Sequence, residues 1–201
     1  ADHPEFEFHL KTSGRMLTAM NRELILADAV NSNADYCFMI DDDMLAPQDI
    51  FEKLYRHHVD VVAALAFTRN PPHLPVLYQQ HEGWDPILHK SYSNMEWIIN
   101  YPKNKLVEVD AVGFGCVLID MKVVRAMKPP YCMCSSGTGE DIFFCVQAKQ
   151  AGFRIFSDTS TVIGHLSNPM IIGEEQSEQY NKPEVKELLY GPYTKYGVRD
   201  V

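Results

Sequence analysis

The sequence predicts an α/β fold: a single domain on a mixed, mainly parallel sheet flanked by helices. Two observations carry this expectation. First, Tyr36–Ile40 and Val59–Phe67 are short apolar runs of strand length, and between them Ile50, Phe51, Leu54 and Tyr55 recur at helical spacing. Strand, helix and strand in that order make a βαβ unit. Second, the chain has 201 residues, of which 46% are hydrophobic, enough for one core of ordinary size.

The remaining elements follow in order. Ser13 stands as an N-cap before a helix in which Met16, Leu17, Met20, Leu24 and Ala27 recur. Pro47 opens the helix inside the βαβ unit. From Arg69 to Lys105 the pattern lapses, with Pro71, Pro72, Pro75, Pro86 and Pro102 among aromatic and polar residues; this reads as an irregular surface region of the kind that carries substrate contacts. Val107–Asp120 reads as a strand interrupted by Gly113 and Gly115, where a bulge or a close ligand approach is expected. Helices are expected over Met121–Met127 and from Thr138 or Gly139 to Gly152, a C′ glycine. Phe153–Phe156 and Thr161–Ile163 read as short strands leading to His165, and Pro183–Tyr190 as a last helix. The single domain 1–201 thus divides into a first half (1–68), an irregular region (69–106), a second half (107–170) and a tail (171–201).

Net charge is −9 and the isoelectric point about 5.3, which sets the chain against nucleic-acid phosphates. An acidic protein that binds a phosphorylated ligand has to bring a cation, a basic pocket or helix N-termini to it. Of five cysteines, Cys37, Cys116 and Cys145 lie in apolar segments, while Cys132 and Cys134 lack the spacing of a zinc site. A reducing, cytoplasmic setting is expected, and no apolar run approaches the ~20 residues of a membrane span.

Asp41, Asp42 and Asp43 follow directly on a buried strand. Adjacent carboxylates repel unless something positive neutralises them, and ligands of open α/β sheets bind beyond the carboxyl ends of strands. The alternative is a solvated turn ahead of the helix at Pro47. His165 suits a transition-metal site beside carboxylates, although a histidine in such a place is often only packed. Glu140 and Asp141 open a helix, where acids favour the helix dipole without further role; the nearby Gly137 and Gly139 let a carboxylate be aimed into a cleft as a general base. Arg22 has the reach of a bidentate diphosphate donor or is an exposed helix residue. Trp84, in Gly-Trp-Asp-Pro, is the better sugar-stacking candidate; Trp97 is neutral.

Taken in order, AMNRELILADAVNSNADYCFMIDDDM, VDAVGFGCVLIDMKVV, GEDIFFCVQAKQAGFRI and IGHL resemble the GT-A glycosyltransferases of the family 2 type. These stretches match, respectively, the family's helix, strand and Asp-x-Asp motif, its strand below the acceptor site, its Glu-Asp helix, and its late histidine. The likeness spans Asn21 to Leu166; each motif is weak alone and the ordered set is more specific. It implies a GT-A-like (Rossmann-like) sheet and transfer of a sugar from a UDP- or GDP-sugar to a hydroxyl of a glycan or small-molecule acceptor, with Mn²⁺ or Mg²⁺ as cofactor. Asp43 would bind the cation, Asp41 the ribose or the metal shell, Asp42 either or neither, and His165 would complete the metal ligands. Asn21, Arg22 and Gly115 fall to the nucleotide sugar, Trp84 and Gly113 to the acceptor, and Asp141 or Glu140 to the base. Two departures stand out. Only Phe6–Leu10 precedes the first motif helix, and the usual Arg-Asn pair reads Met20-Asn21, with Arg22 one place late. Nucleotidyl transfer and a non-catalytic sugar-nucleotide or glycan-binding module are the alternatives.

Overall fold

The apolar runs become two strands of a five-stranded sheet, one at its edge and one at its centre. The structure, a computed structural model, describes residues 6–12, 14, 16–85, 89–134, 138–167 and 170–180. Its elements are α1 (Thr18–Asn31), β1 (Tyr36–Ile40), β2 (Met44–Leu45), α2 (Ile50–Tyr55), β3 (Val61–Leu65), β4 (Leu77–Asp85) and β5 (Lys90–Trp97). There follow β6 (Leu106–Val109), β7 (Ala111–Val112), β8 (Cys116–Asp120), α3 (Met121–Ala126), α4 (Glu140–Gln150), β9 (Ile155–Val162), β10 (Gly164–Ser167), β11 (Met170–Ile172) and α5 (Glu174–Tyr180). The helix expected at Pro183–Tyr190 lies outside the described residues, as does the N-cap expected at Ser13; α1 begins at Thr18.

The main sheet has the order β1-β8-β3-β9-β6, and only β3 and β9 pair in parallel. The other three pairings are antiparallel, which corrects the expectation of a mainly parallel sheet within a mixed α/β fold. The cause is the segment 107–120. It is not one strand but β6, β7 and β8, and β8 slots between β1 and β3 in the opposite direction. Because β8 opposes both neighbours, β1, β3 and β9 still point the same way. Their carboxyl ends therefore share one edge of the sheet. That edge receives Asp41–Asp43 after β1, Arg69 after β3 and His165 after β9.

Both faces of the sheet are covered, which explains why β3 reads as unbroken apolar sequence. Val61, Ala63 and Leu65 join Val117 and Ile119 against Leu26 of α1, Val124 of α3 and Phe144 of α4. Val62, Ala64, Cys116 and Leu118 face the other way, against Ile50 and Leu54 of α2. Phe114 and Phe144 meet edge-on at 5.1 Å in the first layer, and each such buried ring contributes roughly 2–3 kcal/mol. All five cysteines are free thiols.

Helix α1 does not bury the stripe that its spacing suggests. Met16, Leu17, Met20 and Leu24 are exposed, whereas Arg22 and Leu26 turn inward. The helix is rotated so that a charge, not a methionine, meets the sheet. β1 is an outermost strand of the main sheet.

The region read as irregular contains a hairpin. β4 and β5 pair antiparallel from Tyr78↔Trp97 to Asp85↔Lys90, and β4 also pairs with β7. Its outer residues, among them Gln79, Gln80, Glu82, Ser93 and Asn94, are exposed, so neither face shows apolar alternation. The prolines fall before, between and after the two strands, where they do not break the ladder.

The most unexpected device lies in β9. Its pairing with β3 jumps from Ala64↔Asp158 to Leu65↔Val162, so residues 159–161 form an excursion. Asp158, 0% exposed, staples it. Its carboxylate accepts hydrogen bonds from Ser160 N (2.9 Å), the Ser160 hydroxyl, Thr161 Oγ1 (2.8 Å) and His57 Nε2 (2.9 Å). Thr159 anchors outward to the carbonyls of Pro102 and Lys105. Burial alone pushes the Asp158 carboxyl up, but the bonds from Ser160, His57 and Thr161 outweigh it and hold the value at about 2, below the ordinary 3.8. Among the described residues no helix is long and apolar enough to cross a membrane.

Because the carboxyl is more acidic folded than unfolded, ionised Asp158 stabilises the fold above its unfolded pKa, and that contribution fades as pH falls from about 4 toward about 2. Asp158→Asn is expected to lose on the order of 2 kcal/mol at pH 7. In thermal melts at stepped pH, the gap to the parent should narrow steadily below about pH 4; a gap independent of pH would refute the charged staple.

Candidate functional site

The acidic turn and the histidine strand are joined by backbone before their side chains meet. Met44 and Leu45 form β2 immediately after the aspartates, and β2 pairs with β10 through His165↔Met44 and Gly164↔Leu45. Leu166 N donates to Asp43 O at 2.7 Å. This small second sheet places Asp43 and His165 side by side although 122 positions separate them.

His165 Nε2 lies 3.3 Å from Asp43 Oδ2. On the far side of the ring, Nδ1 is 2.9 Å from the Phe67 carbonyl, an acceptor only, so Nδ1 carries the proton. In the neutral imidazole Nε2 is then a lone pair facing a carboxylate oxygen. Two acceptors at that distance repel unless a positive group joins them. The Arg69 guanidinium does so: its NH2 group bonds Asp43 Oδ2 and its Nε lies 3.4 Å from His165 Nε2. Reading the sequence missed Arg69, because an arginine in Thr-Arg-Asn-Pro-Pro shows no period and no motif.

Asp41 is used differently. Arg22, 6% exposed, sends its NH2 group to Asp41 Oδ1 and Oδ2 at 3.1 and 2.9 Å and its NH1 group to Glu140 Oε1. The guanidinium also stacks 5.5 Å from the Phe114 ring centre. Arg22 is thus a buried tie between α1, the end of β1 and the start of α4, and its donors are already committed to carboxylates. Asn21, beside it on α1, is half-buried. Asp42 is exposed.

Asp141 sits one residue into α4, and its Oδ1 accepts from Ile142 N at 2.7 Å. Desolvation pushes its carboxyl above the ordinary carboxylate value, with the neighbouring Glu140 charge adding to the rise and Arg22 and Ile142 N opposing it. Glu140 has Arg22 on one oxygen and the Cys134 thiol 3.3 Å from the other. The Asp141 charge is also felt by Tyr78, whose phenol burial raises to about 12. Trp97, 45% exposed, leans on Tyr78 with ring centres 5.7 Å apart. Trp84 is in β4 opposite Ser91, and its side chain lies outside the described residues, as does Gly137.

The two glycines have packing reasons of their own. A Cβ on Gly113 would come 2.5 Å from Val76 Cγ1 and 3.7 Å from Asp141 Oδ2; one on Gly115 would come 2.8 Å from Met44 Cε. Gly113 therefore borders the candidate base, and Gly115, whose carbonyl accepts from Asp41 N at 2.9 Å, borders the acidic turn.

As a cation site this constellation is sparse. Among the described residues no group of three or more His, Cys, Asp and Glu gathers to hold a metal ion. The expected trio Asp41, Asp43 and His165 is not assembled, because Arg22 holds both oxygens of Asp41. Asp43 and His165 do fit a cation as a pair: one carboxylate oxygen and one imidazole nitrogen converge, a guanidinium stands in for positive charge between them, and their donor chemistry suits Mn²⁺ better than Mg²⁺.

No protein-family model matches the chain, and no curated protein matches it in sequence. Among solved structures, A197 from STIV is similar in fold, with a TM-score of 0.57 at 18% identity, covering 81% of this chain and 74% of that one. At that identity the likeness speaks to the fold alone.

Two outcomes follow from the buried charges. Arg22→Ala leaves two partly buried carboxylates without a counter-charge and should cost about 3 kcal/mol, a fall in Tm of roughly 10 °C, partly recovered by adding Glu140→Gln. Asp141 works the other way. Its raised pKa means that its contribution to stability is complete at low pH and lost as pH rises through the folded value. Asp141→Asn, neutral throughout, should therefore raise Tm at pH 7 by about 2–4 °C and leave it unchanged below the unfolded pKa. A lower Tm at pH 7 would contradict the desolvated carboxylate.

Proposed function

We propose that this chain is a metal-dependent glycosyltransferase of the GT-A type, moving a sugar from a nucleoside-diphosphate sugar to an acceptor hydroxyl. The observation that carries the reading is the convergence of Asp43 Oδ2 and His165 Nε2, 3.3 Å apart, beyond the carboxyl ends of co-directed strands. Such a pair calls for a cation, and a two-residue protein set leaves room for substrate phosphates to complete the shell, as small hard cations prefer. The motif order from Asn21 to Leu166 supports the same reading, and the shared direction of β1, β3 and β9 is compatible with a GT-A sheet.

In this proposal Asp43 and His165 hold Mn²⁺ or Mg²⁺, whose positive charge offsets that of the departing diphosphate. Arg22 keeps Asp41 fixed at the rim of the turn, where its outer edge can meet the ribose. Asp141, desolvated and lying close to Gly113, takes the proton of the acceptor hydroxyl; a raised carboxyl pKa suits that task because it makes the carboxylate a stronger base. Trp97, half-exposed on Tyr78, offers a ring to an acceptor sugar beside the proposed Trp84.

The test is calorimetry with UDP and GDP, with and without Mn²⁺, followed by product analysis with sugar nucleotides. Binding of a diphosphate should require the metal and vanish in Asp43→Ala. Asp141→Asn should keep that binding while transfer falls by about 10²–10⁴-fold. Release of a nucleoside diphosphate marks sugar transfer, and release of pyrophosphate would mark nucleotidyl transfer instead. Metal-independent nucleotide affinity, unchanged in Asp43→Ala, would overturn the proposal.

A further inference from the structure

We propose that Arg69 is a built-in placeholder for the cation: its guanidinium keeps Asp43 and His165 in ligating position, gives way to the divalent ion, and then turns to the diphosphate. This rests on the reading above for the nature of the ligand, but the exchange itself concerns only three side chains of this protein.

Three observations carry it. Among the described residues the guanidinium bonds the two groups that would ligate the ion, Asp43 Oδ2 and His165 Nε2, so metal and arginine compete for the same oxygen and the same nitrogen. The backbone beneath Arg69 is fixed. Thr68 N donates to Leu74 O at 2.9 Å, Leu74 N to Thr68 Oγ1 at 2.9 Å, His73 N to Asn70 O at 3.1 Å, and Val76 N to Ala66 O at 3.0 Å. His73, buried at the centre of this loop, holds the Thr68 carbonyl through Nδ1 at 3.0 Å. The Arg69 side chain, by contrast, is 50% exposed, so it can leave without disturbing the loop.

The chemistry makes the exchange easy. A half-exposed ion pair is a weak lock, and a doubly charged ion outcompetes a single guanidinium for a carboxylate. While Arg69 is in place, the charge and the lone pair stay oriented toward the seat instead of swinging apart, so the site is pre-organised without metal. Once displaced, the guanidinium remains within a side chain's length of the seat, and its planar fork matches phosphate oxygens. Arg22 does not have this freedom, because it is buried and tied on both sides. The two arginines therefore divide the work, one as a structural tie and one as the exchangeable charge.

The experiment compares the full chain with Arg69→Met and Arg69→Lys, using electron paramagnetic resonance of free Mn²⁺ for the metal alone and calorimetry of Mn²⁺ with inorganic pyrophosphate, a diphosphate without a base. Arg69→Met should bind Mn²⁺ alone about three- to ten-fold tighter than the parent, since an exposed competitor is gone. The gain should disappear when Asp43→Asn is added. The same variant should bind Mn²⁺-pyrophosphate about ten-fold more weakly, for want of the fork. Arg69→Lys should stay within about two-fold of the parent for the metal alone, because it keeps the charge. Opposite signs for the two ligands are not what a merely structural arginine would give. Unchanged or weaker Mn²⁺ affinity in Arg69→Met overturns the placeholder, and a rise in pyrophosphate affinity overturns its second role. If the tighter Mn²⁺ binding appears but no nucleoside diphosphate binds with metal, the exchange stands and the transferase reading falls.

Discussion

The candidate site depends first on one buried guanidinium. Arg22 lies between Asp41 and Glu140, and through them it joins the first helix, the first strand and the helix that carries Asp141. The first two are consecutive in the chain, and the third is remote from both. A buried charge of this kind is costly to desolvate and is tolerated only when paired on more than one side, which here fixes two carboxylates at once. It also rotates α1, turning an arginine inward and leaving Met20 and Leu24 in solvent. By holding Asp41, Arg22 leaves Asp43 as the acid that points elsewhere.

The second constraint is the excursion in β9. A regular strand would carry the chain past β3 in simple register, but residues 159–161 step out and return at Val162. Asp158 makes that detour affordable by satisfying two backbone-proximal hydroxyls, an amide and an imidazole with one carboxylate. The strand then resumes at Ile163, whose amide meets the Leu65 carbonyl at 2.9 Å, and delivers His165 to β2. Site and fold thus share one segment: the staple sits in the core sheet, and the strand it shapes leads on to the ring facing Asp43.

Much of this was legible in the chain itself, for reasons that are physical. Three acids after an apolar run announce a strand end, and the meeting of Asp43 with His165 is what the family resemblance implied. The antiparallel majority was not legible, because buried strands of either direction read as the same apolar run. The hairpin was hidden by its polar outer residues. Asp158 was hidden because a single aspartate between a serine and a threonine resembles a surface turn, and only tertiary packing makes it the most buried acid of the described chain. The stripe on α1 was misread for a related reason: spacing reveals which residues share a side of a helix, not which side the rest of the molecule needs. Arg69 was missed because its meaning depends entirely on partners that are 26 and 96 positions away.

The exposed Met16, Leu17, Met20 and Leu24, in and just before α1, and the outer margin of β1 have a consequence for behaviour in solution. Exposed oily side chains and a strand margin with no partner among the described residues are each sticky, and a common charge of −9 opposes the approach of copies. That repulsion shrinks as acidity approaches the isoelectric point near 5.3 and is screened by concentrated salt. Mildly acidic buffers therefore weaken the repulsion that opposes self-association, and dilute, slightly alkaline ones keep it strong.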